Sequence, residues 1–158
     1  MRKFVIQMGA KKRKKLDRVD YLKIERDFHD TYSTELDWEK PLNDFFSYED
    51  DGVDSILLEK YFEKELGNVK DKQILDIGSG FGNTALNLAR RGAIVTSIDI
   101  SPELIKGCKY RANKNGLSVN FQLMDASKLE FKNNKFDIIL GFRTIHHLQN
   151  IEEFFLEA

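Results

Sequence analysis

Two short apolar runs, separated by a glycine-rich turn and a helical pattern, occupy the middle of the chain. The first run passes through Ile74, Leu75 and Ile77 into the turn, and the second covers residues 93–98 and ends at Asp99. Short apolar runs bounded by turn residues indicate buried strands, and a helix between them completes a βαβ unit. We therefore expect a ligand to bind beyond the carboxyl ends of these strands.

Helical and loop signals precede this unit. Residues 17–32 and residues 54–66 carry apolar side chains at helical spacing, and residues 33–52 contain loop and turn signals. We expect an N-terminal extension over residues 1–69, with a basic tail and helices, followed by a Rossmann-like domain over residues 70–158.

More elements of the same kind follow the second strand. Ser101 as an N-cap and Pro102 at the first helical position predict a helix, and Gly116 predicts its end. Residues 121–124 and 136–140 are two further apolar runs, which we interpret as the third and fourth strands of the domain. The pattern predicts an α/β fold with a mostly parallel sheet.

The glycine-rich turn differs from the dinucleotide fingerprint G-x-G-x-x-G, because Asn83 stands at the third glycine position. The chain reads D-x-G-x-G-x-G instead, with a further acid after the second strand. It resembles the first motif and the acidic loop of class I S-adenosylmethionine-dependent methyltransferases. The residues that carry this resemblance are Asp76, Gly78, Gly80, Gly82 and Asp99.

Two later motifs extend the resemblance, and they follow along the chain in the same order as in the family. Asp125 and Ala126 follow the third strand and look like the adenine-contacting pair of the family, and residues 141–148, GFRTIHHL, are similar to its loop after strand four. The resemblance implies a doubly wound, Rossmann-like sheet, of which residues 70–158 correspond to the first four of seven strands.

The resemblance also implies roles for the loop. Gly78 and Gly80 let the main chain approach the methionine portion of S-adenosylmethionine, and Gly82 completes the motif. Asp76 fixes the loop and the amino group of the ligand, or serves the fold alone.

Roles beyond the loop follow from the same resemblance. Asp99 accepts hydrogen bonds from the ribose hydroxyls, and Ile100 packs on the adenine. Asp125 accepts from the adenine amino group, and the Ala126 amide addresses the ring. The alternative for Asp125 is a solvated loop acid.

Methyl transfer from a sulfonium is an in-line displacement, so the protein mainly aligns the reactants and excludes water. The reaction requires no metal, and we predict none. His146, or less favourably His147, is a candidate general base, although histidines of such loops also act structurally. We expect a small-molecule acceptor.

In the family an N-terminal helix often covers the cofactor. Phe28, His29 and Tyr32 are candidates for the underside of such a helix in this chain, and ordinary packing is an equal alternative.

Composition narrows the classes of partner. The 158-residue chain has a formal net charge of −1 and a basic run at residues 11–15, which we interpret as a solvated tail. Nucleic acid is therefore not an expected partner. No run is long enough to span a membrane, and Cys108 is the single cysteine, so we expect a cytoplasmic protein and assign the thiol no chemistry.

The predicted strand four, with Phe136 and residues 138–140, lacks a following strand in this sequence. We expect an uncovered apolar edge that invites association, and a chain that is a fragment of a longer methyltransferase. Two other function classes remain open: a nucleotide-dependent oxidoreductase, and a cofactor-binding or assembly module without activity of its own.

Overall fold

Five parallel strands form the sheet at the centre of the described fold. A computed structural model describes residues 3–6, 18–42, 60–142, 144–148 and 151–157. The strands are β1 (Lys3–Ile6), β2 (Gln73–Ile77), β3 (Ile94–Asp99), β4 (Asn120–Leu123) and β5 (Ile138–Gly141). Their order across the sheet is β1-β5-β2-β3-β4. The predicted α/β, Rossmann-like parallel sheet is confirmed.

Helices lie between the strands. They are α1 (Arg18–Ser33), α2 (helical residues 60–66), α3 (Asn83–Arg90), α4 (Pro102–Lys114) and α5 (Ile151–Glu157), with a 3₁₀ turn at Ile145–His147. Among the described residues, none of the helices combines the length and the apolar character that crossing a bilayer requires.

Alternate side chains of β2 enter two different cores. Ile74 packs with Leu86 and Cys108 on one face of the sheet, whereas Leu75 packs with Phe154 on the other. This separation follows from the two-residue period of a strand, and it explains why β2 is apolar on both faces. The buried sheet thus fixes the strand ends where the glycine turn begins.

The expectation of an uncovered strand-four edge is wrong. That strand is β5, and β1 pairs with it in parallel, with Lys3 opposite Ile138 and Ile6 opposite Gly141. Residues 3–6 therefore belong to the sheet and not to a basic tail. The basic run at residues 11–15, the loop at 43–52 and the beginning of the predicted helix at 54–66 lie outside the described residues.

Caps and breaks near the site agree with the sequence signals. The Ser101 hydroxyl accepts a hydrogen bond from the Leu104 amide at 3.1 Å and begins α4. Gly116 follows its end with φ of 63°. β5 begins at Ile138, two residues later than expected, and Phe136 before it packs edge-on against Phe131.

The segment after α1 is fastened to α4 through the only tryptophan of the chain. The Trp38 indole lies against Gly107, where a Cβ would overlap its ring, and 5.1 Å from the Phe81 ring. Its Nε1 donates to the Ser33 carbonyl at 3.0 Å. This packing positions the N-terminal helix over the glycine turn.

Candidate functional site

A cavity of about 250 Å³ opens at the carboxyl ends of the parallel strands, beneath α1. Sites for small molecules typically measure about 300–1,000 Å³, so the cavity is slightly smaller than that range. Part of the cavity lining is apolar. The apolar residues that line the cavity include Leu22, Ile77, Phe81, Ile98, Met124, Phe142 and Leu148.

The glycine turn forms the floor of the cavity. Gly78, Gly80 and Gly82 have φ of 82°, 49° and 85°, a region that side chains with a Cβ rarely adopt. A Cβ on Gly78 would overlap the Thr144 side chain, and one on Gly82 would lie 3.0 Å from the Cys108 sulfur. Glycine is therefore required here by backbone conformation and by space.

Hydrogen bonds hold the turn against β3. The amides of Gly78 and Ser79 donate to the Ile98 carbonyl at 2.8 and 3.0 Å, and the Gly80 amide donates to Asp99 Oδ2 at 3.1 Å. These three amides donate within the protein, and a ligand ammonium, itself a donor, needs acceptors such as main-chain carbonyl oxygens of the turn.

Asp76 lies beneath the turn and does not line the cavity. Its Oδ2 accepts from the Ser97 hydroxyl at 2.7 Å, and Ser97 in turn lies 2.8 Å from the Ser79 hydroxyl. Burial raises the pKa of Asp76 from 3.8 to about 7, although the Ser97 hydrogen bond opposes the shift. The carboxyl thus anchors Ser79 from below.

Asp99 reaches the cavity from the end of β3. Besides Gly80, it accepts from the Ser101 amide at 3.0 Å through Oδ1. Burial raises its pKa, and these two amide hydrogen bonds oppose the shift. Each carboxylate oxygen retains a second lone pair, so Asp99 can accept two further hydrogen bonds from a ligand. The adjacent Ile100 also lines the cavity.

Asp125 and Ala126 form another part of the wall, after β4. The Ser127 amide donates to Asp125 Oδ1 at 2.9 Å, and Arg18 pairs with Oδ2 at 3.1 Å. Burial opposes ionisation, but the hydrogen bonds from Ser127 and the ion pair with Arg18 outweigh it and lower the pKa of Asp125. The acid is therefore part of a contact between the wall and α1.

α1 crosses the cavity and is fixed at more than one point. Arg26 Nε donates to the Ile100 carbonyl at 3.2 Å, and the Ser101 hydroxyl donates to Asp30. His29 and Tyr32 line the cavity, as their predicted place on the underside requires. Phe28, predicted beside them, points elsewhere and is 60% exposed.

Three polar side chains meet where α1 passes the turn after β5. Glu25, which is 5% exposed, places Oε2 3.2 Å from His147 Nδ1 and 3.7 Å from His29 Nε2. The Tyr21 hydroxyl donates to the His147 carbonyl at 2.6 Å. The side chain of His146, and the whole of Arg143, lie outside the described part of the chain.

Most of the predicted cofactor residues meet in this one cavity. Those that line it are Gly78, Gly80, Asp99, Ile100, Asp125 and Ala126, while Asp76 and Gly82 support the turn from outside.

A buried arginine that the sequence analysis missed also supports the turn. Arg111 of α4 has no exposed surface, and its Nη1 donates to the Phe81 carbonyl at 2.6 Å and to Asn83 Oδ1 at 2.9 Å. Its guanidinium lies 3.8 Å from the centre of the Phe81 ring. Arg111 therefore fixes the passage from the turn into α3.

A glycine turn and a buried carboxylate at the ends of parallel strands define a nucleoside-binding type of α/β protein. Comparison with known sequences gives the family: a profile described as a methyltransferase domain matches residues 75–158. Because this match covers more than half of the chain, the chain belongs to that methyltransferase domain family.

Individual relatives agree. A ubiquinone biosynthesis O-methyltransferase of Coxiella burnetii is 37% identical over 89 residues, which are 56% of this chain and 38% of that protein. Norajmaline N-methyltransferase of Rauvolfia serpentina is 37% identical over 91 residues, 56% of this chain and 31% of that protein. The chain thus spans well under half the length of these curated relatives.

A solved structure supports the fold over a longer stretch. Phosphoethanolamine N-methyltransferase 1 of Haemonchus contortus, in complex with phosphoethanolamine and S-adenosylhomocysteine, superposes with a TM-score of 0.68. The match covers 90% of this chain and 30% of that one, at 21% identity. At this identity the likeness concerns the fold alone.

Proposed function

We propose that the chain is the cofactor-binding part of an S-adenosylmethionine-dependent methyltransferase that acts on a small-molecule acceptor by in-line displacement. The observation that carries the proposal is the convergence of Gly78, Gly80 and Asp99 on one cavity at the strand ends. Membership of the methyltransferase domain family supports it.

The chemistry of the cavity fits this cofactor. When bound, S-adenosylmethionine supplies an electrophilic methyl group on a sulfonium. Carboxylates predominate among the charged groups of the lining, with Glu25, Asp99, Asp125 and Glu153 beside the single arginine Arg18. Such a wall favours a ligand that carries a sulfonium and an ammonium.

Each strand end contacts a different part of the cofactor. The carbonyl oxygens of the glycine turn accept from the ligand ammonium, and Asp99 accepts from the two ribose hydroxyls. Ile100 and Met124 provide the apolar surface for the adenine. Gly82 and Asp76 act indirectly, because each fixes the conformation of the turn.

The other predicted adenine contacts lie after β4. Asp125 accepts from the adenine amino group through Oδ2, which pairs with Arg18 and has a second lone pair, while Oδ1 keeps its hydrogen bonds from the Ser127 amide and hydroxyl. The Ala126 main chain addresses the ring.

The chain contributes alignment and exclusion of water at the reacting end. Residues of α1 and of the segment after β5 line this end of the cavity, which supports a small-molecule acceptor. His146 is our proposed general base from the sequence. His147 also lines the cavity, with Nδ1 on Glu25, and is the second candidate.

Two further parts of the proposal concern the acceptor and the compartment. The net charge of −1 supports an acceptor that is not a nucleic acid. The buried thiol of Cys108 supports action in the cytoplasm.

Isothermal titration with S-adenosylmethionine, S-adenosylhomocysteine and NAD tests the proposal. Asp99→Asn should weaken binding of both sulfur ligands by about 1.5–3 kcal/mol, because a neutral amide replaces the charged acceptor. Asp71→Asn is the matched control, since Asp71 is exposed, lies outside the cavity and has a φ of 61° that Asn tolerates.

The outcomes separate the function classes. Binding of the sulfur ligands that Asp99→Asn weakens, followed by methyl transfer in an acceptor screen, supports the methyltransferase. Binding without transfer to any acceptor favours the silent cofactor-binding module. Preference for NAD would contradict the proposal and indicate an oxidoreductase.

A further inference from the structure

The meeting point of Glu25, His29 and His147 has the composition of a metal site. Glu25 and His29 are four residues apart on α1 and therefore share one face of the helix. His147 comes from the 3₁₀ turn after β5. One ligand atom of each side chain lies within 4.8 Å of the other two.

The distances suit a shared cation. In tetrahedral zinc sites with ligand bonds of about 2.0–2.1 Å, neighbouring ligand atoms are about 3.3 Å apart. Glu25 Oε2 lies 3.2 Å from His147 Nδ1 and 3.7 Å from His29 Nε2. The two imidazole nitrogens lie within 4.8 Å of each other.

A hydrogen-bonded pair accounts for one histidine only. Here two imidazole nitrogens face the same carboxylate oxygen, and that oxygen belongs to a residue that is 5% exposed. Burying a carboxylate is costly unless a cation or donors compensate it. A divalent ion bound by all three side chains accounts for the convergence of both histidines on one carboxylate oxygen.

The surrounding structure fixes the main chain that carries the ligands. The Tyr21 hydroxyl donates to the His147 carbonyl, and Arg26 on α1 donates to the Ile100 carbonyl. These contacts hold α1 and the turn after β5 against the cavity.

We propose that Glu25, His29 and His147 bind a divalent transition-metal ion of the zinc type, and that its open coordination position takes a hydroxyl oxygen of the methyl acceptor. Three protein ligands leave such a position free, as in catalytic zinc sites. All three side chains line the cavity, so the open position is accessible to a ligand. A bound cation lowers the pKa of a coordinated hydroxyl, which releases its proton to water and becomes a better nucleophile. The oxygen then forms a bond to the methyl carbon as the bond from that carbon to the sulfonium sulfur breaks, and S-adenosylhomocysteine leaves.

The acceptor part of this inference rests on the proposed methyltransferase function, whereas the metal part does not. The sequence analysis predicted no metal, because sulfonium chemistry requires none and because the three ligands come together only in the fold.

Metal binding is tested directly on the full chain, purified without a histidine tag and stripped with a chelator. Zn²⁺ is titrated in competition with a chromophoric chelator, and Co²⁺ is added in parallel to record its visible absorption. We expect one equivalent to bind. Glu25→Gln, His29→Gln and His147→Gln should each weaken binding at least about tenfold and alter the Co²⁺ spectrum.

Asp27→Asn is the control, because Asp27 is an exposed carboxylate on the same helix, paired with Lys23 at 2.7 Å. Circular dichroism of every variant shows whether it is folded. The Co²⁺ spectrum of the parent chain tests the nitrogen ligands without any substitution. The proposal fails if the folded parent binds no stoichiometric Zn²⁺, or if the folded ligand variants bind as the control does.

S-adenosylhomocysteine titration of the same samples keeps the two proposals apart. A folded parent chain that binds S-adenosylhomocysteine but no metal overturns the metal site and leaves the methyltransferase standing. Stoichiometric metal binding without S-adenosylhomocysteine binding supports the metal site and contradicts the proposed cofactor.

Discussion

Replacing Asp76 by Asn should remove most of the pH dependence of stability between about pH 5 and pH 8. Burial raises the pKa of Asp76 from 3.8 to about 7 in the folded chain. Between these two values the folded chain holds a proton that the unfolded chain has lost. The contribution of this group is therefore fully present below pH 3.8 and is lost as the pH rises through about 7.

The magnitude follows from the difference between the two pKa values. At about 1.36 kcal/mol per pKa unit, the shift from 3.8 to about 7 corresponds to a total of about 4 kcal/mol. Of this total, about 2–3 kcal/mol is lost between about pH 5 and pH 8. Asn keeps an oxygen that accepts from Ser97 but does not titrate, so this position should add no pH dependence to the stability of the variant.

Urea unfolding, followed by Trp38 fluorescence and far-ultraviolet circular dichroism, measures this effect at a series of pH values. Asp125→Asn is the control. The pKa of Asp125 is lowered, so its contribution disappears only on acidification, and the variant should keep the parental slope between about pH 5 and pH 8. A parent chain that is equally stable at both pH values, or an Asp76→Asn variant with the parental slope, would refute the reasoning.

Three further substitutions test the packing around the turn. Gly78→Ala should lower the free energy of unfolding by about 1–3 kcal/mol and abolish S-adenosylhomocysteine binding, because the new Cβ would overlap the Thr144 side chain. A second change of Thr144 to Gly removes that overlap and should restore part of the lost stability, measured by calorimetry. Gly107→Ala should displace the indole of Trp38 and shift its fluorescence to longer wavelength, with an unshifted spectrum as the contrary result. Arg111→Met should cost about 1–3 kcal/mol because the Phe81 carbonyl loses its buried donor, and an unchanged Tm would contradict this role.

Local sequence signals were sufficient for the βαβ unit and for α4. The apolar runs of β2 and β3, the glycines between them and the Ser101 cap each act within a few residues, so the pattern contains the information. Strand β1 gave no such signal. Its four residues form a strand through pairing with β5, which lies more than 130 positions later in the chain.

The site divides in the same way. Gly78 and Asp99 were predicted because the family motif they resemble lies next to the strand ends, within a few residues of recognisable apolar runs. Glu25 joins the site through the docking of α1, which no local pattern specifies. The sequence contained one signal for Arg111. It lies three residues after Cys108, on the otherwise apolar face of α4, and a charged residue on such a face requires a buried partner.

The way in which α1 is attached has a consequence for hydrogen exchange. Only Tyr21, Glu25 and Ser33 of this helix are buried, while Val19 and Phe28 are exposed. Elements held by few buried contacts open locally at a lower free energy than the sheet does. The amides of α1 should therefore exchange faster than those of β2 and β3. A ligand that binds only when α1 is docked stabilises the docked state and lowers the fraction of molecules in which α1 is open. Amide exchange in α1 then slows by the same factor, so the α1 amides report whether the cavity is occupied.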